Sequence, residues 1–333
     1  MSTLRTGILG CGSFAHRHAQ IASNLPGEVE LVAFCDRNEW KAQAFSEQYT
    51  LNRALIFTDH HAMFEQADLD LVIICLPPYG HSDEVAQAAE HGIHLLIEKP
   101  IALTSEQGWQ MVEVAERAGI KTQVGFMFRF GEAVERLKSL ITSGEIGPVG
   151  LMSARYFCNA LHADWWRKRD KSGGQIVEQA IHMFDLLRFF LGDPVAVYSR
   201  QENLFHRETE DYTIEDVSAT VVSFANGALG VVYATNGAIP GRWINDYRVV
   251  AQKLTAEFTN ANQATFYPTD VPDQLPLVIS SEKDFRMAQL RDLIEAIRTG
   301  HETRTPLREG AKSLDLVLAA ARSNERRSEV PVV

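Results

Sequence analysis

Positive charge is scarce in this 333-residue chain. Lys and Arg total 32 against 43 Asp and Glu, which gives a formal net charge of −11. Surfaces that bind nucleic acid need clustered basic side chains. The densest basic stretch, Arg167–Arg169, is short and is followed by Asp170. The sequence therefore predicts no nucleic-acid partner.

Long apolar runs and patterned cysteines are also missing. No run reaches the roughly 18 apolar residues that would predict a membrane-spanning helix. The first five residues lead directly into a strand pattern, which is not typical of a signal peptide. The four cysteines, Cys11, Cys35, Cys75 and Cys158, show neither CxxC nor metal-type spacing. These absences predict no membrane association, no bound metal and a reducing, cytoplasmic location.

What the chain has, up to about residue 122, is a regular alternation of strand and helix patterns. Short apolar runs such as Leu31–Cys35 and Leu71–Leu76 are separated by helix patterns such as Ser105–Ala118. Buried strands separated by helices are typical of a parallel sheet that is covered on both faces. The pattern predicts an α/β N-terminal domain over residues 1–124, with a doubly wound parallel sheet.

The pattern changes in residues 125–333. Five longer strand patterns are present: Val195–Asn203, Val217–Phe224, Ala228–Thr235, Tyr247–Ala251 and Ala256–Thr259. A helix pattern over 175–191 precedes them, and two more helix patterns close the chain. Asn226-Gly227 predicts a type I′ hairpin turn. We expect an α+β domain with a large, mostly antiparallel, open-faced sheet.

A glycine-rich turn lies between the first strand and the first helix. It runs Gly10-Cys11-Gly12-Ser13-Phe14-Ala15, a G-x-G-x-x-A pattern. Gly10 permits the tight turn, Gly12 lets the backbone approach a pyrophosphate, and Ala15 lets the helix pack closely on the sheet. In the first βαβ unit this pattern predicts a dinucleotide site, with Ser13 and Phe14 beside the phosphates.

Asp36 favours NAD as that dinucleotide. It ends the second strand, where an acidic side chain hydrogen-bonds the ribose hydroxyls and repels a 2′-phosphate. Arg37 follows directly, and two interpretations of it stay open: it stacks on adenine, or it pairs with the 2′-phosphate of NADP. NADP therefore remains an alternative cofactor.

Two further segments carry groups suited to acid–base chemistry. Glu98-Lys99-Pro100 follows the fifth strand, at the sheet edge where ligands of open parallel sheets bind. There Lys99 can exchange a proton with a substrate hydroxyl. On the helix pattern over 175–191, Glu178 and His182 are four residues apart and share a face. A carboxylate in that position can orient the imidazole, although a purely stabilising pair is the competing interpretation.

Taken together, these motifs resemble the Gfo/Idh/MocA family of oxidoreductases. They are Gly10–Ala15, Leu76-Pro77-Pro78-x-x-His81, Glu98-Lys99-Pro100 and Gly173-Gly174 with His182-x-x-Asp185, in the family's order and spacing. The resemblance implies that Lys99 is catalytic and that Leu76, Pro77, His81 and Glu98 line the cofactor cleft. It also implies a homodimer or homotetramer, formed through the open face of the C-terminal sheet. Glu178 and Ala180 depart from the family, which usually has Asp and Gly there.

Three other residues are candidates for binding substrate. Arg129 lies in a segment that resembles the family's crossing between domains, and a surface ion pair is its competing interpretation. Trp166 can lie against a sugar ring or belong to the core, and Arg167 is adjacent. The histidines at 16, 18, 60 and 61 have no spacing that predicts a metal site.

The sequence thus predicts an NAD-dependent dehydrogenase of a sugar, cyclitol or similar polyol. Lys99 and His182 share the handling of the proton, and Glu178 orients His182. Two alternatives stay open: an NADP-dependent reductase of a dicarbonyl, anhydrosugar or diol, and a non-catalytic regulator that senses the dinucleotide.

Overall fold

The computed structural model describes residues 2–271 and 273–332. The chain forms two compact units, Met1–Gly125 with Arg286–Ala311, and Phe126–Phe285 with Lys312–Val333. The sequence-based boundary placed all of 125–333 in the second domain, whereas Arg286–Ala311 packs with the first. The terminal residues Met1 and Val333 in these bounds, and Pro272, lie outside the described part of the chain.

The helices and strands have the following bounds. The helices are α1 Ala15–Ser23, α2 Glu39–Thr50, α3 His60–Gln66, α4 Glu84–Glu90, α5 Ser105–Ala118, α6 Glu132–Ser143, α7 Arg169–Ser172, α8 Ile181–Leu191, α9 Phe285–Thr299 and α10 Leu307–Arg326. The strands are β1 Leu4–Leu9, β2 Val29–Cys35, β3 Leu55–Phe57, β4 Leu71–Ile74, β5 His94–Ile97, β6 Thr122–Val124, β7 Val149–Phe157, β8 Pro194–Glu202, β9 Val217–Phe224, β10 Leu229–Thr235, β11 Tyr247–Ala251, β12 Leu254–Asn260, β13 Gln263–Pro268, β14 Leu277–Ser280 and β15 Val330–Pro331.

The first unit is a six-stranded parallel sheet in the order β3-β2-β1-β4-β5-β6. Its central strands are the most deeply buried, as in β4, where all four residues are inaccessible. The reversal of strand order at β1 and β4 produces a crevice at the carboxyl ends of the strands, where ligands of such sheets bind. The predicted doubly wound α/β fold is confirmed.

The returning segment Arg286–Ala311 completes this unit. From α9, Leu290, Leu293 and Ile294 enter the core beside the sheet. The edge strand β6 is then covered, because Val124 N–H donates to the Thr305 carbonyl at 2.7 Å. Covering an edge satisfies backbone groups that would otherwise remain unpaired.

The second unit is a nine-stranded sheet in the order β14-β13-β12-β11-β7-β10-β9-β8-β15. The β7–β10 pair is parallel, and its neighbours β11 and β9 pair antiparallel to them, so the predicted mostly antiparallel sheet is confirmed. Alternate residues of β9 are buried, from Ser218 to Phe224. Helix α8 is buried on nearly all sides. The opposite sheet face exposes apolar side chains, including Val221, Leu229 and Tyr233.

Sequence patterns missed some strands of this sheet and one turn type. The central strand β7 was not predicted, because Gly150, Ser153 and Arg155 interrupt its apolar pattern. The predicted hairpin between β9 and β10 exists, but its turn is not type I′. Gly227 has a φ of +86°, and Asn226 is not among the residues with positive φ. With Gly227 N–H bonded to the Phe224 carbonyl, the loop is the three-residue type that ends in a left-handed glycine.

Within the described residues, no helix is both long enough and apolar enough to span a membrane.

Candidate functional site

The glycine turn between β1 and α1 is held against the neighbouring strands. Gly10 has a φ of +89°, and a Cβ there would lie 2.7 Å from the Cys75 carbonyl oxygen. Its N–H donates to the Cys35 carbonyl at 2.8 Å. A Cβ on Gly12, in contrast, would meet no protein atom within 4 Å. Gly10 is therefore required by the fold, whereas Gly12 leaves open space beside the backbone.

The next three residues lead into α1, which begins at Ala15. Ser13 is exposed, Phe14 retains 39% exposure, and Ala15 is fully buried. The Phe14 ring meets the ring of His18 edge-on, with centroids 5.7 Å apart. The small Ala15 side chain lets the helix begin directly on the sheet, as predicted for this position.

Asp36 is fixed beside the glycine turn. Its Oδ2 accepts the Cys11 N–H at 2.9 Å, and its Oδ1 accepts the Asn38 N–H at 2.9 Å. A cavity of about 210 Å³ is lined by Gly12, Trp40 and Cys11, the residue whose N–H Asp36 accepts. Arg37 is exposed. The carboxylate thus joins the end of β2 to the glycine turn.

The segment after β4 contains a buried histidine. Leu76 and Pro77 are half-buried, whereas the His81 and Glu84 side chains are fully inaccessible. His81 Nδ1 lies 2.6 Å from Glu84 Oε1, and His81 Nε2 has no hydrogen-bond partner among the described residues. Burial alone would raise the pKa of Glu84, but hydrogen bonds from His81 and Ser82 lower it below its ordinary value. The Glu84 carboxylate therefore sets the orientation of the imidazole.

Glu98 and Lys99 follow β5 at the same sheet edge. Glu98 is buried, and its Oε1 lies 2.7 Å from Nε2 of His18 on α1. A Cβ on Gly125 would lie 2.7 Å from Glu98 Oε2, so Glu98 is tightly enclosed. Lys99 is half-buried, and its peptide bond to Pro100 is cis. Sequence patterns missed the role of His18, because nothing in the sequence links it to a carboxylate 80 residues away.

In the second unit, residues 175–191 are helical as predicted, but they do not form one regular α-helix. Residues Ile176–Ala180 form a π-helical turn before α8 begins at Ile181. The extra residue of a π turn rotates the following side chains by about 100° relative to a regular α-helix. Glu178 Oε2 accepts the indole N–H of Trp166 at 2.8 Å.

His182 lies in an aromatic environment. It is 5% exposed, and its ring centroid is 5.1 Å from that of Phe128 and 6.2 Å from that of Phe126. These rings restrict the orientation of the imidazole and exclude water from its faces. A histidine held in this way can exchange a proton with a bound hydroxyl.

Arg129 forms an ion pair, which was one of its two interpretations, but the pair is buried and not at the surface. It is 4% exposed, and its guanidinium makes two hydrogen bonds to Asp185, at 2.8 Å and 2.6 Å. Its guanidinium carbon also lies 4.8 Å from the centre of the Phe189 ring. Asp185 anchors its helix through this pair. The arrangement is that of a structural ion pair.

The tryptophan segment forms a small core. Trp166 is buried with Tyr212 and Ile214. Arg167 donates to the carbonyls of Leu161 and His162 at 3.0 Å and 3.2 Å, and so braces the preceding loop. Of the two interpretations of Trp166, the structure favours the core position, with its indole N–H directed at Glu178.

His162 is a further candidate that sequence patterns missed. Its φ is +51°, a backbone conformation that few non-glycine residues adopt. Its ring lies 4.6 Å from that of Trp166 and 5.5 Å from that of Trp243. Nε2 is 2.7 Å from the Gln179 side-chain nitrogen. A strained, half-buried histidine next to the Glu178 segment is typical of a ligand-binding region.

The thiols are not suited to nucleophilic chemistry. Burial, with smaller contributions from nearby carboxylates, raises the pKa of Cys35 and of Cys158 to about 12. Burial likewise raises the pKa of Cys11 and Cys75. All four cysteines therefore stay protonated near neutral pH.

Comparisons with known proteins identify the family. One family model, described as an oxidoreductase family with an NAD-binding Rossmann fold, matches residues 4–126, and the GFO/IDH/MocA C-terminal domain matches residues 134–257. The D-glucoside 3-dehydrogenase of Escherichia coli is 30% identical over 68% of this chain and 69% of its own length. The scyllo-inositol 2-dehydrogenase (NAD(+)) of Bacillus subtilis is 26% identical over 99% and 96%.

Solved structures agree on the fold. A levoglucosan dehydrogenase in complex with NADH and L-sorbose superposes with a TM-score of 0.91, at 20% identity and full coverage of both chains. The chain therefore belongs to the Gfo/Idh/MocA family, which confirms the resemblance inferred from its motifs. It is an oxidoreductase with an NAD-binding Rossmann fold.

Proposed function

We propose that this protein is an NAD-dependent dehydrogenase that oxidises a secondary alcohol of a sugar, cyclitol or similar polyol to a ketone. The observation that carries the proposal is the position of Lys99. Lys99 follows β5 at the ligand-binding edge of a Rossmann sheet. It comes directly after Glu98, whose carboxylate contacts His18. Relatives named for glucoside and inositol oxidation support the substrate class.

The first unit fits the dinucleotide. Gly12 leaves room where the pyrophosphate approaches the backbone, since a Cβ there would meet nothing within 4 Å. Asp36 accepts ribose hydroxyls, and the cavity beside Gly12 and Trp40 has room for part of the adenosine. When bound, the nicotinamide accepts the hydride that leaves the alcohol carbon.

The protein's own groups handle the proton. As the alcohol C–H bond breaks and a C=O bond forms, the hydroxyl proton must pass to a base. We assign this base to His182, and we assign to Lys99 the positioning of the hydroxyl and a share of the proton transfer. We assign to Glu178 the orientation of His182; the Trp166 indole N–H holds the Glu178 carboxylate, and Arg167 braces the adjacent loop. Arg129 is not included, because its guanidinium is committed to Asp185.

The activity test pairs Lys99→Ala with Lys253→Ala, which removes an exposed lysine of the second unit. NADH absorbance is followed with NAD and a panel of polyols. Loss of a proton-transfer group typically lowers turnover by about 10²–10⁴, so Lys99→Ala should lose at least a hundredfold in kcat while NAD affinity persists. Lys253→Ala should match the parent protein. If Lys99→Ala keeps its turnover, the assignment fails. If the parent binds NAD tightly but oxidises no polyol, a dinucleotide-sensing regulator is favoured instead.

The preference for NAD over NADP rests on Asp36. Its carboxylate would oppose a 2′-phosphate at the end of β2. The test compares kcat/KM for the two cofactors in the parent and in Asp36→Asn, which keeps the side-chain shape and removes the charge. The NAD-to-NADP ratio should fall about tenfold, a change of about 1.4 kcal/mol. A parent protein that prefers NADP would contradict the proposal and favour the reductase alternative.

The open face of the nine-stranded sheet supports a homodimer or homotetramer. Val221, Leu229 and Tyr233 remain 42%, 47% and 37% exposed on neighbouring strands. Apolar patches of this kind mark protein contacts. Sedimentation analysis should find an oligomer that Val221→Glu weakens, whereas a monomeric parent would contradict this part of the proposal. The cytoplasmic location remains a prediction.

A further inference from the structure

Two adjacent histidines lie between two aspartates on the first unit. His60 and His61 are the first residues of α3, and Asp59 precedes them as the N-cap. Asp83 precedes α4 and is 22 residues further along the chain than His61. The sequence alone predicted no metal site here, because no local spacing connects the histidines to Asp83. The fold brings the four side chains together.

Asp83 contacts both imidazoles on one side. Its Oδ1 lies 2.9 Å from His60 Nε2, and its Oδ2 lies 2.9 Å from His61 Nε2. An ionised carboxylate only accepts hydrogen bonds, so both Nε2 atoms carry a proton. A neutral imidazole with its proton on Nε2 has a lone pair on Nδ1. In a neutral imidazole, Asp83 thus leaves Nδ1 as the ligand atom; at His61, where Asp59 Oδ1 lies 3.0 Å from Nδ1, a bound metal ion takes the place of a proton.

The two Nδ1 atoms face the second carboxylate. Asp59 Oδ1 lies 3.0 Å from His61 Nδ1 and 4.0 Å from His60 Nδ1. One ligand atom from each of Asp59, His60 and His61 lies within 4.8 Å of the other two. Three electron-pair donors at such distances repel one another unless a proton or a cation lies between them.

The spacing suits a small transition-metal ion. Zinc binds nitrogen and oxygen ligands at about 2.0–2.2 Å, which separates tetrahedral ligands by about 3.3–3.6 Å. The observed separations of 3.0 Å and 4.0 Å bracket that range. Imidazole ligands favour zinc, copper or nickel over calcium and magnesium, which prefer oxygen. The rings are stacked with centroids 4.2 Å apart, so both nitrogens can point in the same direction.

We propose that Asp59, His60 and His61 bind a divalent transition-metal ion of the zinc type, and that Asp83 holds both imidazoles from the opposite side. Ligating histidines commonly donate their other N–H to a carboxylate, which orients the ring and raises its basicity. Three protein ligands leave one position of a tetrahedral ion to solvent. The ion binds at the first turn of α3, and the hydrogen bonds of Asp83 connect that turn to the start of α4, independently of the dehydrogenase chemistry.

The experiment uses the full chain without a histidine tag, after chelator treatment, and titrates it with Co²⁺ and then Zn²⁺. One Co²⁺ should bind per chain with the visible absorption of a tetrahedral site, and Zn²⁺ should displace it. Asp59→Asn keeps a good N-cap residue while removing the charged ligand. Asp59→Asn and His61→Gln should each weaken binding more than tenfold. Asp83→Ala should weaken it about 10- to 100-fold, since that is the usual effect of losing a carboxylate behind a ligating histidine.

A matched control and a second measurement make the result decisive. His91→Gln changes an exposed histidine at the end of α4 and should bind Co²⁺ as the parent does. Zn²⁺ should raise the melting temperature of the parent and of His91→Gln, because binding to the folded state stabilises it. It should not raise that of Asp59→Asn. If the parent binds no Co²⁺, protons alone hold the cluster. If the parent and Asp59→Asn bind Co²⁺ equally, the ion binds elsewhere. Either result would overturn the proposal.

Discussion

His18 Nε2 lies 2.7 Å from Glu98 Oε1, and both side chains are buried. This contact joins the helix that follows the glycine turn to the segment that carries Lys99. Removing one member of a buried pair leaves the other without its compensating partner, which typically costs about 3–5 kcal/mol. The pair therefore couples the stability of the first unit to the position of Lys99.

We expect His18→Ala to lower the free energy of unfolding by about 3 kcal/mol and to raise the KM for NAD. Urea unfolding and initial rates measure the two effects. His91→Ala, on the exposed end of α4, serves as the control and should change neither. Unaltered stability in His18→Ala would show that Glu98 does not depend on the imidazole.

Gly10 and Gly12 should separate folding from dinucleotide binding. Gly10→Ala forces a side chain into a positive φ and against the Cys75 carbonyl, so we expect a loss of about 2 kcal/mol in stability. Gly12→Ala meets no protein atom, so its melting temperature should match the parent. Its NAD affinity, followed by NADH fluorescence, should fall at least tenfold. A Gly12→Ala protein with normal affinity would mean that the pyrophosphate does not approach this backbone.

Arg129 and Asp185 should behave as a coupled structural pair. Arg129→Met leaves Asp185 buried without the guanidinium that it contacts at 2.6 Å, and should cost about 3–5 kcal/mol. Adding Asp185→Leu should recover part of this loss, because two apolar side chains do not require charge compensation. Urea unfolding of the single and double variants gives the coupling energy. If the stability losses of the two single variants simply add in the double variant, Arg129 and Asp185 are not coupled.

His94 should make stability depend on pH. Burial, followed by the nearby Lys121 charge, lowers its pKa below the ordinary 6.5, with Asp70 opposing. Its folded pKa is below its unfolded pKa, so its contribution is fully present above pH 6.5 and is lost as the pH falls through the folded value. His94→Asn keeps an acceptor for the Lys121 N–H, which donates to His94 Nδ1 at 2.9 Å.

The measurement compares the free energy of unfolding of parent and His94→Asn at about pH 8 and about pH 5. The decline toward acid should be smaller in the variant. Parallel declines in the two proteins would show that other groups cause the pH dependence.

Local backbone requirements were predictable from the sequence. The turn at Gly10 and the end of α5 at Gly119 each need a left-handed glycine, and both have one, with φ values of +89° and +71°. Thr104 accepts the Gln107 N–H at 3.2 Å, as a helix N-cap should. Such signals depend on neighbouring residues only, so a single sequence carries them.

Long-range relationships were not predictable in the same way. The burial of Arg129 depends on a carboxylate 56 residues away, and the cluster at His60 and His61 depends on Asp83. The π turn at Ile176–Ala180 could not be recognised from the apolar pattern. Its one added residue changes the direction of the following side chains but not the composition of the segment. These features follow from tertiary packing, which spacing along the chain does not record.

The composition of the first unit has a consequence for synthesis. Its core includes Leu290, Leu293 and Ile294, and its edge strand β6 is covered by Thr305. A ribosome-bound chain that ends before Arg286 has made every strand of the parallel sheet but lacks the helix that seals it. During that interval the sheet presents bare apolar surface and an open edge, where chaperones or other nascent chains can attach. The first unit begins to be synthesised first, but its core cannot be completed until most of the second unit has been translated.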